Sequence, residues 1–265
     1  MGTRLTSAFL LGLAALLLVR CGGEPAAPRS TPKPTKIQKA RVEAPAFNAD
    51  SAYAYIAQQV AFAPRVPNTP EHVACGDWLS SELTRHGADV IEQPGLVRAY
   101  DGTILRIRNI IGQFRPENRE RILLFAHWDT RPFADKDTLR MREPIDGAND
   151  GGSGVGVLLE IARLLGADST LDVGVDIVFF DAEDYGTPEW GEKNQNSALT
   201  WCLGSQYWAN QPHRIGYNAK YGILLDMVGA KGAVFNKEGT SMAYAPTVVK
   251  RLWESAERLG YGDYF

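Results

Sequence analysis

The sequence predicts a three-layer α/β domain with a mostly parallel central sheet flanked by helices. Three observations predict it. Residues 122–126, 177–180 and 223–225 are apolar at every position, and strands without polar alternation are those buried on both faces of a largely parallel sheet. Segments with helical spacing of apolar residues flank these runs. Each run also stops abruptly at ionisable residues, where open α/β sheets hold their ligands.

The elements follow in order. Asp50 is the expected cap of a first helix that carries Tyr53, Ile56 and Val60 on one face. The segment Pro64-Arg65-Val66-Pro67-Asn68-Thr69-Pro70 ends it and starts a second helix, with Pro70 at the first position. That helix presents Ala74, Trp78, Leu79 and Leu83 and stops at Gly87. Residues 104–111 read as a strand with polar interruptions, residues 155–165 as a helix between the first two apolar strands, and residues 247–259 as a last helix. No internal repeat is visible.

Composition sets the class. With 45% hydrophobic and 22% charged residues in 265, the chain is neither disordered, collagenous nor a coiled coil. Residues 1–47 carry a net +5 and the remainder −8. A folded part that acidic argues against a nucleic-acid partner, because phosphate binding needs a basic face. Three cysteines make no disulfide framework at this length, and the spacing of Cys75 and Cys202 says nothing about pairing.

The first segment reads as an address. Arg4 precedes an apolar run of 12 residues, 8–19, too short for the roughly 20 residues of a membrane span but right for a signal-peptide core. Cys21 follows Leu17-Leu18-Val19-Arg20, which resembles a bacterial lipoprotein lipobox, although Arg20 stands where a small residue is usual. Residues 21–46 contain five prolines and read as an extended tether. The expected organisation is a signal peptide over 1–20, a tether over 21–46 and a folded domain over 47–265. It places the protein in the cell envelope, as a periplasmic or surface lipoprotein anchored to the membrane at Cys21. An ordinary secreted protein, cut elsewhere, is the alternative.

The strand ends carry the chemistry. The first buried strand runs into His127-Trp128-Asp129-Thr130-Arg131-Pro132, and the second into Asp181-Ala182-Glu183-Asp184-Tyr185-Gly186. The third ends Asp226-Met227-Val228-Gly229, and Gly147-Ala148-Asn149-Asp150-Gly151-Gly152-Ser153-Gly154 opens a helix. Singly, each is a cap or a solvated loop. Together they bring carboxylates and an imidazole to one edge, a donor mixture that zinc accepts in catalytic sites. Asp129, two residues after His127, is placed to orient its ring. The glycine-rich stretch is neither a phosphate loop nor a dinucleotide fingerprint, and reads as a tight turn beside the metal. Trp190 and Trp201, in the long loop after Asp184, are candidate walls of a small substrate pocket or plain packing aromatics.

These strings, with Trp201-Cys202-Leu203-Gly204-Ser205-Gln206-Tyr207-Trp208 and Asp226-Met227-Val228-Gly229-Ala230, resemble the zinc-dependent aminopeptidase family, and within it the bacterial glutaminyl-peptide cyclotransferase branch. The resemblance runs from about Phe47 to the last residue. Aminopeptidases of the family carry Glu-Glu where this chain has Glu183-Asp184, whereas Ala-Glu-Asp-Tyr-Gly is cyclase-like. It implies Asp150 and Asp184 as zinc ligands and Glu183 as general acid/base. Asp226 is then a hydrogen-bond partner near Glu183 in a one-zinc cyclase, or a ligand of a second zinc in an aminopeptidase. His127 is likewise a ligand in the two-zinc version. The implied activity is cyclisation of N-terminal glutamine on peptides or proteins, with release of ammonia. The rival is hydrolysis of the first peptide bond, and a third reading is a non-catalytic surface lipoprotein that keeps the fold as a binding module.

The resemblance also implies a histidine ligand and a nearby acid beyond Asp226. The histidines are His72, His86, His127 and His213, none beyond it. The expectation is therefore a domain incomplete at its C-terminus, with weak zinc binding by Asp150 and Asp184 alone.

Overall fold

The computed structural model describes residues 44–192 and 195–265. The expected signal peptide, Cys21 and the tether up to residue 43 lie outside the described residues. α1 (Ala49–Ala61) starts at Asn48, whose Oδ1 accepts the Ser51 N–H at 3.0 Å. The cap is thus Asn48 and not the expected Asp50. Asn48 keeps an extended backbone, while Asp50 lies inside the first turn, where its charge meets the positive end of the helix. α2 (Pro70–Arg85) is capped by Thr69 with Pro70 at its first position, and Gly87 follows it at φ +84°, as the sequence implies.

A hairpin comes next. β1 (Asp89–Arg98) pairs antiparallel along its whole length with β2 (Ile104–Phe114). β3 (Arg121–His127), α3 (Gly152–Ala167) and β4 (Gly174–Phe180) form a parallel crossover unit, and β5 (Gly222–Leu224) adds parallel to β3. The strand order is β1-β2-β4-β3-β5. The sheet is therefore mixed: its parallel part is β4-β3-β5, and the β1–β2 hairpin joins β4 antiparallel. α4 (Leu203–Asn210), α5 (Gly239–Tyr244) and α6 (Pro246–Arg258) complete the described elements, with a short 3₁₀ turn at Ser197–Thr200.

β4 shows why its sequence has no polar alternation. Ile177 and Phe179 point into a core with Leu79, Leu83, Leu158 and Leu159 from α2 and α3. Val178 and Phe180 face the other side with Ile111, Leu123 and, more loosely, Trp208 of α4. Each such side chain contributes about 1.5–3 kcal/mol by leaving water. β5 departs from expectation. It lies at the edge of the described sheet, with Leu224 49% exposed, so an apolar run alone did not imply burial on both faces. Cys75 and Cys202 are both free, Cys75 within the core.

Candidate active site

Because β3, β4 and β5 run parallel, their carboxyl ends share one edge of the sheet, and the expected residues meet there. His127 is the last residue of β3. Its Nε2 lies 2.9 Å from Asp150 Oδ1 and 3.6 Å from Asp226 Oδ1. Its Nδ1 faces Asp129 Oδ1 at 3.4 Å, an ion-pair separation without hydrogen-bond alignment. Two overlapping sets of possible ligand atoms result, His127–Asp150–Asp184 and His127–Glu183–Asp226, each spanning no more than 4.8 Å.

Local backbone geometry sets each of these groups. After β4 the chain turns at Ala182, a non-glycine residue at φ +48°. The Glu183 and Asp184 amides then donate to Asp129 Oδ1 and Oδ2, at 2.9 and 3.1 Å. One buried carboxylate thus orients the imidazole on one side and the Glu183-Asp184 pair on the other. The first residues of α4 line up against the same turn: the amides of Cys202, Leu203 and Gly204 donate to the carbonyls of Glu183, Ala182 and Asp181. Asp150 arrives on the turn before α3. Gly151 there has φ +80°, and a Cβ on it would stand 2.9 Å from the Asp129 carbonyl oxygen. The glycine-rich stretch is the tight turn that the sequence implied. The segment after Asp226 is held from the start of α3 and the turn before it: Ser153 Oγ accepts the Val228 N–H and Asn149 Oδ1 the Gly229 N–H, both at 2.9 Å.

The electrostatics are those of an acidic cluster short of positive charge. Burial pushes Glu183 up to about 7, with Asp129, Asp226 and Asp150 adding to the rise and His127 opposing it. Burial likewise pushes Asp184 up to about 8, helped by Asp129, Asp150 and Glu183. For His127, burial disfavours the charged ring, but Asp129, Asp150 and Asp226 outweigh it and raise its pKa well above the ordinary value. Asp184 Oδ2 is buried with no hydrogen-bond partner. A buried unpartnered carboxylate oxygen beside an imidazole and two more acids fits a divalent cation, which would satisfy the oxygen and supply the missing charge.

A pH dependence follows for the metal-free protein: its stability should fall as pH rises from about 6.5 to 8. Folded Glu183 and Asp184 retain protons that unfolded carboxyls, titrating near 4, have already released. Folded His127 also keeps its proton above the pH at which an unfolded imidazole loses it. Below about 6.5, His86 and His213, whose pKa values burial lowers, oppose the trend; above it, unfolding releases protons, and the loss is on the order of a kcal/mol or more. Melting temperatures measured across the window check this. Zinc, competing with the protons, should flatten the slope, whereas a metal-free melting temperature that climbs from about pH 6.5 to 8 would contradict it.

The two tryptophans part company. Trp201 adjoins Cys202, and its ring covers Gly186, where a Cβ would lie 2.1 Å from ring carbons. The Arg131 guanidinium sits 4.5 Å above it. Trp190 is 39% exposed and packs edge-on against Phe133 at 5.3 Å, under Arg142. Thus Trp201 lies beside the Glu183–Asp184 turn, and the contacts of Trp190 lie in the 131–145 loop.

Two arginines that sequence reasoning missed hold the site in shape. Arg65, fully buried, donates to the carbonyls of Gln59, Trp128, Asp146 and Gly147. It thereby ties the His127–Asp129 segment to the turn before Asp150. Arg131 donates to the Asp184 carbonyl at 2.8 Å and pairs with Asp135, which also accepts the Glu189 amide. Nothing in the sequence distinguishes either from a surface arginine.

A mixed sheet with helices on both faces and a carboxylate–imidazole cluster at its carboxyl edge define a metal-dependent peptidase scaffold. Peptidase family M28 matches residues 109–263, and the chain belongs to that family. Among solved structures, it is 59% identical to a Zn-dependent exopeptidase from Parabacteroides distasonis, with a TM-score of 0.81 over 83% of this chain and 75% of that one. It is also 59% identical to the Tannerella forsythia glutaminyl cyclase, with a TM-score of 0.80 over 83% and 76% of the two chains. Aminopeptidase YwaD of Bacillus subtilis is 28% identical over 165 residues, a match that takes in 58% of this chain and 29% of the aminopeptidase.

Proposed function

We infer that the protein is a zinc-dependent glutaminyl-peptide cyclotransferase, converting N-terminal glutamine of peptides or proteins to pyroglutamate with release of ammonia. One observation carries this over the aminopeptidase alternative: the turn after β4 reads Ala182-Glu183-Asp184-Tyr185-Gly186, with Asp184 where aminopeptidases of the family carry a second glutamate. Asp150 and Asp184 would hold the zinc, leaving Glu183 and Asp226 for the substrate.

When bound, zinc supplies a Lewis acid that polarises the side-chain amide carbonyl. The chain's own residues do the rest. The acidic cluster accepts hydrogen bonds from the substrate's neutral α-amine, with part-exposed Asp226 on its open side. Glu183 takes a proton from the amine as its nitrogen attacks the amide carbon, then delivers it to the departing nitrogen, which leaves as ammonia. Amine and amide belong to one residue, so proximity supplies much of the rate. Trp201, beside the Glu183–Asp184 turn, is the candidate wall of the substrate pocket.

Leucyl and alanyl peptides check the assignment. They carry no side-chain amide and should remain intact where a glutaminyl peptide loses ammonia. Free leucine or alanine in the reaction would favour the aminopeptidase.

The same reading places the domain at the cell envelope, on a lipid attached to Cys21. The apolar core of residues 8–19 and the residues before Cys21 support it. Cys21→Ser should move the protein from the membrane to the soluble fraction; unchanged fractionation would count against the anchor and favour secretion.

A further inference from the structure

His72 lies on α2, outside the acidic cluster and 3% exposed. Its Nε2 stands 2.9 Å from both oxygens of Asp181, which is fully buried. The same carboxylate accepts two backbone amides, Ala182 at 2.7 Å on Oδ1 and Arg108 at 2.6 Å on Oδ2. The main chain of Asp181 is equally fixed: its amide donates to Asn109 Oδ1 and its carbonyl accepts from Gly204, each at 3.0 Å. Immediately after this fully bonded residue comes Ala182 in the left-handed region, and then Glu183. The imidazole ring of His72 also stacks on Trp128, with centroids 4.2 Å apart and planes 17° from parallel. Trp128 lies between His127 and Asp129 in the chain. One side chain therefore touches both segments that build the site.

We propose that His72 is a positioning residue for Glu183: through Asp181 it holds the strained Ala182 turn, and through Trp128 it fixes that turn against the His127–Asp129 segment. The left-handed conformation is unfavourable for an alanine, so something must hold it. The Asp181 carboxylate does so by accepting the Ala182 amide, and His72 keeps that carboxylate in place. The proposal rests on Glu183 as the proton carrier described above. A misplacement of about 1 Å at a reacting group can cost on the order of a hundredfold in rate, which is the scale of effect to expect.

His72→Phe keeps a ring on Trp128 but removes the N–H that Asp181 needs. It should lower kcat by about 10- to 100-fold with little change in KM, and lower the melting temperature, because a buried carboxylate is left short of a donor. His72→Gln returns an N–H donor and should recover part of the lost kcat. The double variant His72→Phe/Asp181→Asn removes the unpaired charge, so its melting temperature should rise again while kcat stays low. Exchange of the Glu183 and Asp184 amide hydrogens with solvent should be faster in both Phe variants than in the wild type. A kcat that returns with the melting temperature in the double variant would make the pair purely structural and overturn the proposal. Ammonia release by the wild type, with kcat and amide exchange unchanged in the variants, overturns the positioning role alone. No ammonia release by the wild type, with amide exchange still accelerated in the variants, overturns the cyclase reading and leaves His72 as the group that fixes the turn.

Discussion

Glu183→Gln should lower turnover of a glutaminyl peptide by roughly two to four orders of magnitude, the usual worth of general acid–base catalysis, and leave the zinc content unchanged. The amide of glutamine occupies the same volume and retains hydrogen bonding, but it neither takes nor gives a proton at neutral pH. Zinc should stay because Asp184, not Glu183, is the proposed ligand, and the backbone amides of residues 183 and 184 still donate to Asp129. Pre-steady-state turnover and metal analysis on the same preparation check both halves. A variant that loses zinc and activity together would make Glu183 a ligand, as its place in the second ligand set with His127 and Asp226 permits. The proton-carrying role would then fall.

The second large effect concerns the metal. Asp150→Ala and Asp184→Ala should each weaken zinc binding by more than about 100-fold, beyond the 10- to 100-fold typical of groups that only support a ligand. Asp226→Ala should stay at or below that lower range. The asymmetry comes from geometry. Asp184 Oδ2 is buried and unpartnered, and Asp150 sits 2.9 Å from the imidazole, whereas Asp226 is more distant at 3.6 Å. Zinc titration monitored by calorimetry gives the constants and the stoichiometry together. Two tightly bound zinc ions, with Asp226 needed as much as Asp150, would support the aminopeptidase in place of the cyclase.

Much of the fold was legible because burial leaves its mark on composition. The 122–126 and 177–180 runs are strands whose two faces are both covered, and their sequences say so. β1 was not legible. Its side chains alternate between exposed and half-buried, and Pro94 and Gly95 interrupt it. An edge strand tolerates both because, among the described residues, one row of its backbone groups has no neighbouring strand, and its register comes from β2 across the hairpin. α4 and α5 are too short, at 8 and 6 residues, to show a helical period. The cap of α1 moved by two residues because Asn48 and Asp50 are equally good acceptors in sequence.

At the site, Glu183, Asp184 and Asp226 were legible because they follow apolar strands, and Asp150 because its glycine-rich stretch opens a helix; parallel strands deliver their ends to one place. What holds those acids was not. Arg65, Arg131 and the His72–Asp181 pair act through partners distant in the chain: Arg65 reaches carbonyls 63 and 82 residues away, and His72 a carboxylate 109 residues away. A buried polar residue satisfied by the main chain of another segment has no local signature. Asp129 was the exception, since its place two residues after His127 suggested the contact with the imidazole. Its grip on the Glu183 and Asp184 amides emerged only from the fold.

The central claim is that the substrate's own amine, and no water molecule, attacks the carbonyl. Incubating the intact, zinc-loaded protein with a glutaminyl peptide in water labelled with heavy oxygen tests it most directly, with the products read by mass spectrometry. A cyclase yields a peptide that has lost one ammonia, kept every residue and taken up no label, because the ring carbonyl retains the oxygen of the original amide. Free glutamine with heavy oxygen in its carboxylate, beside a peptide shortened by one residue, would contradict the account and make water the nucleophile.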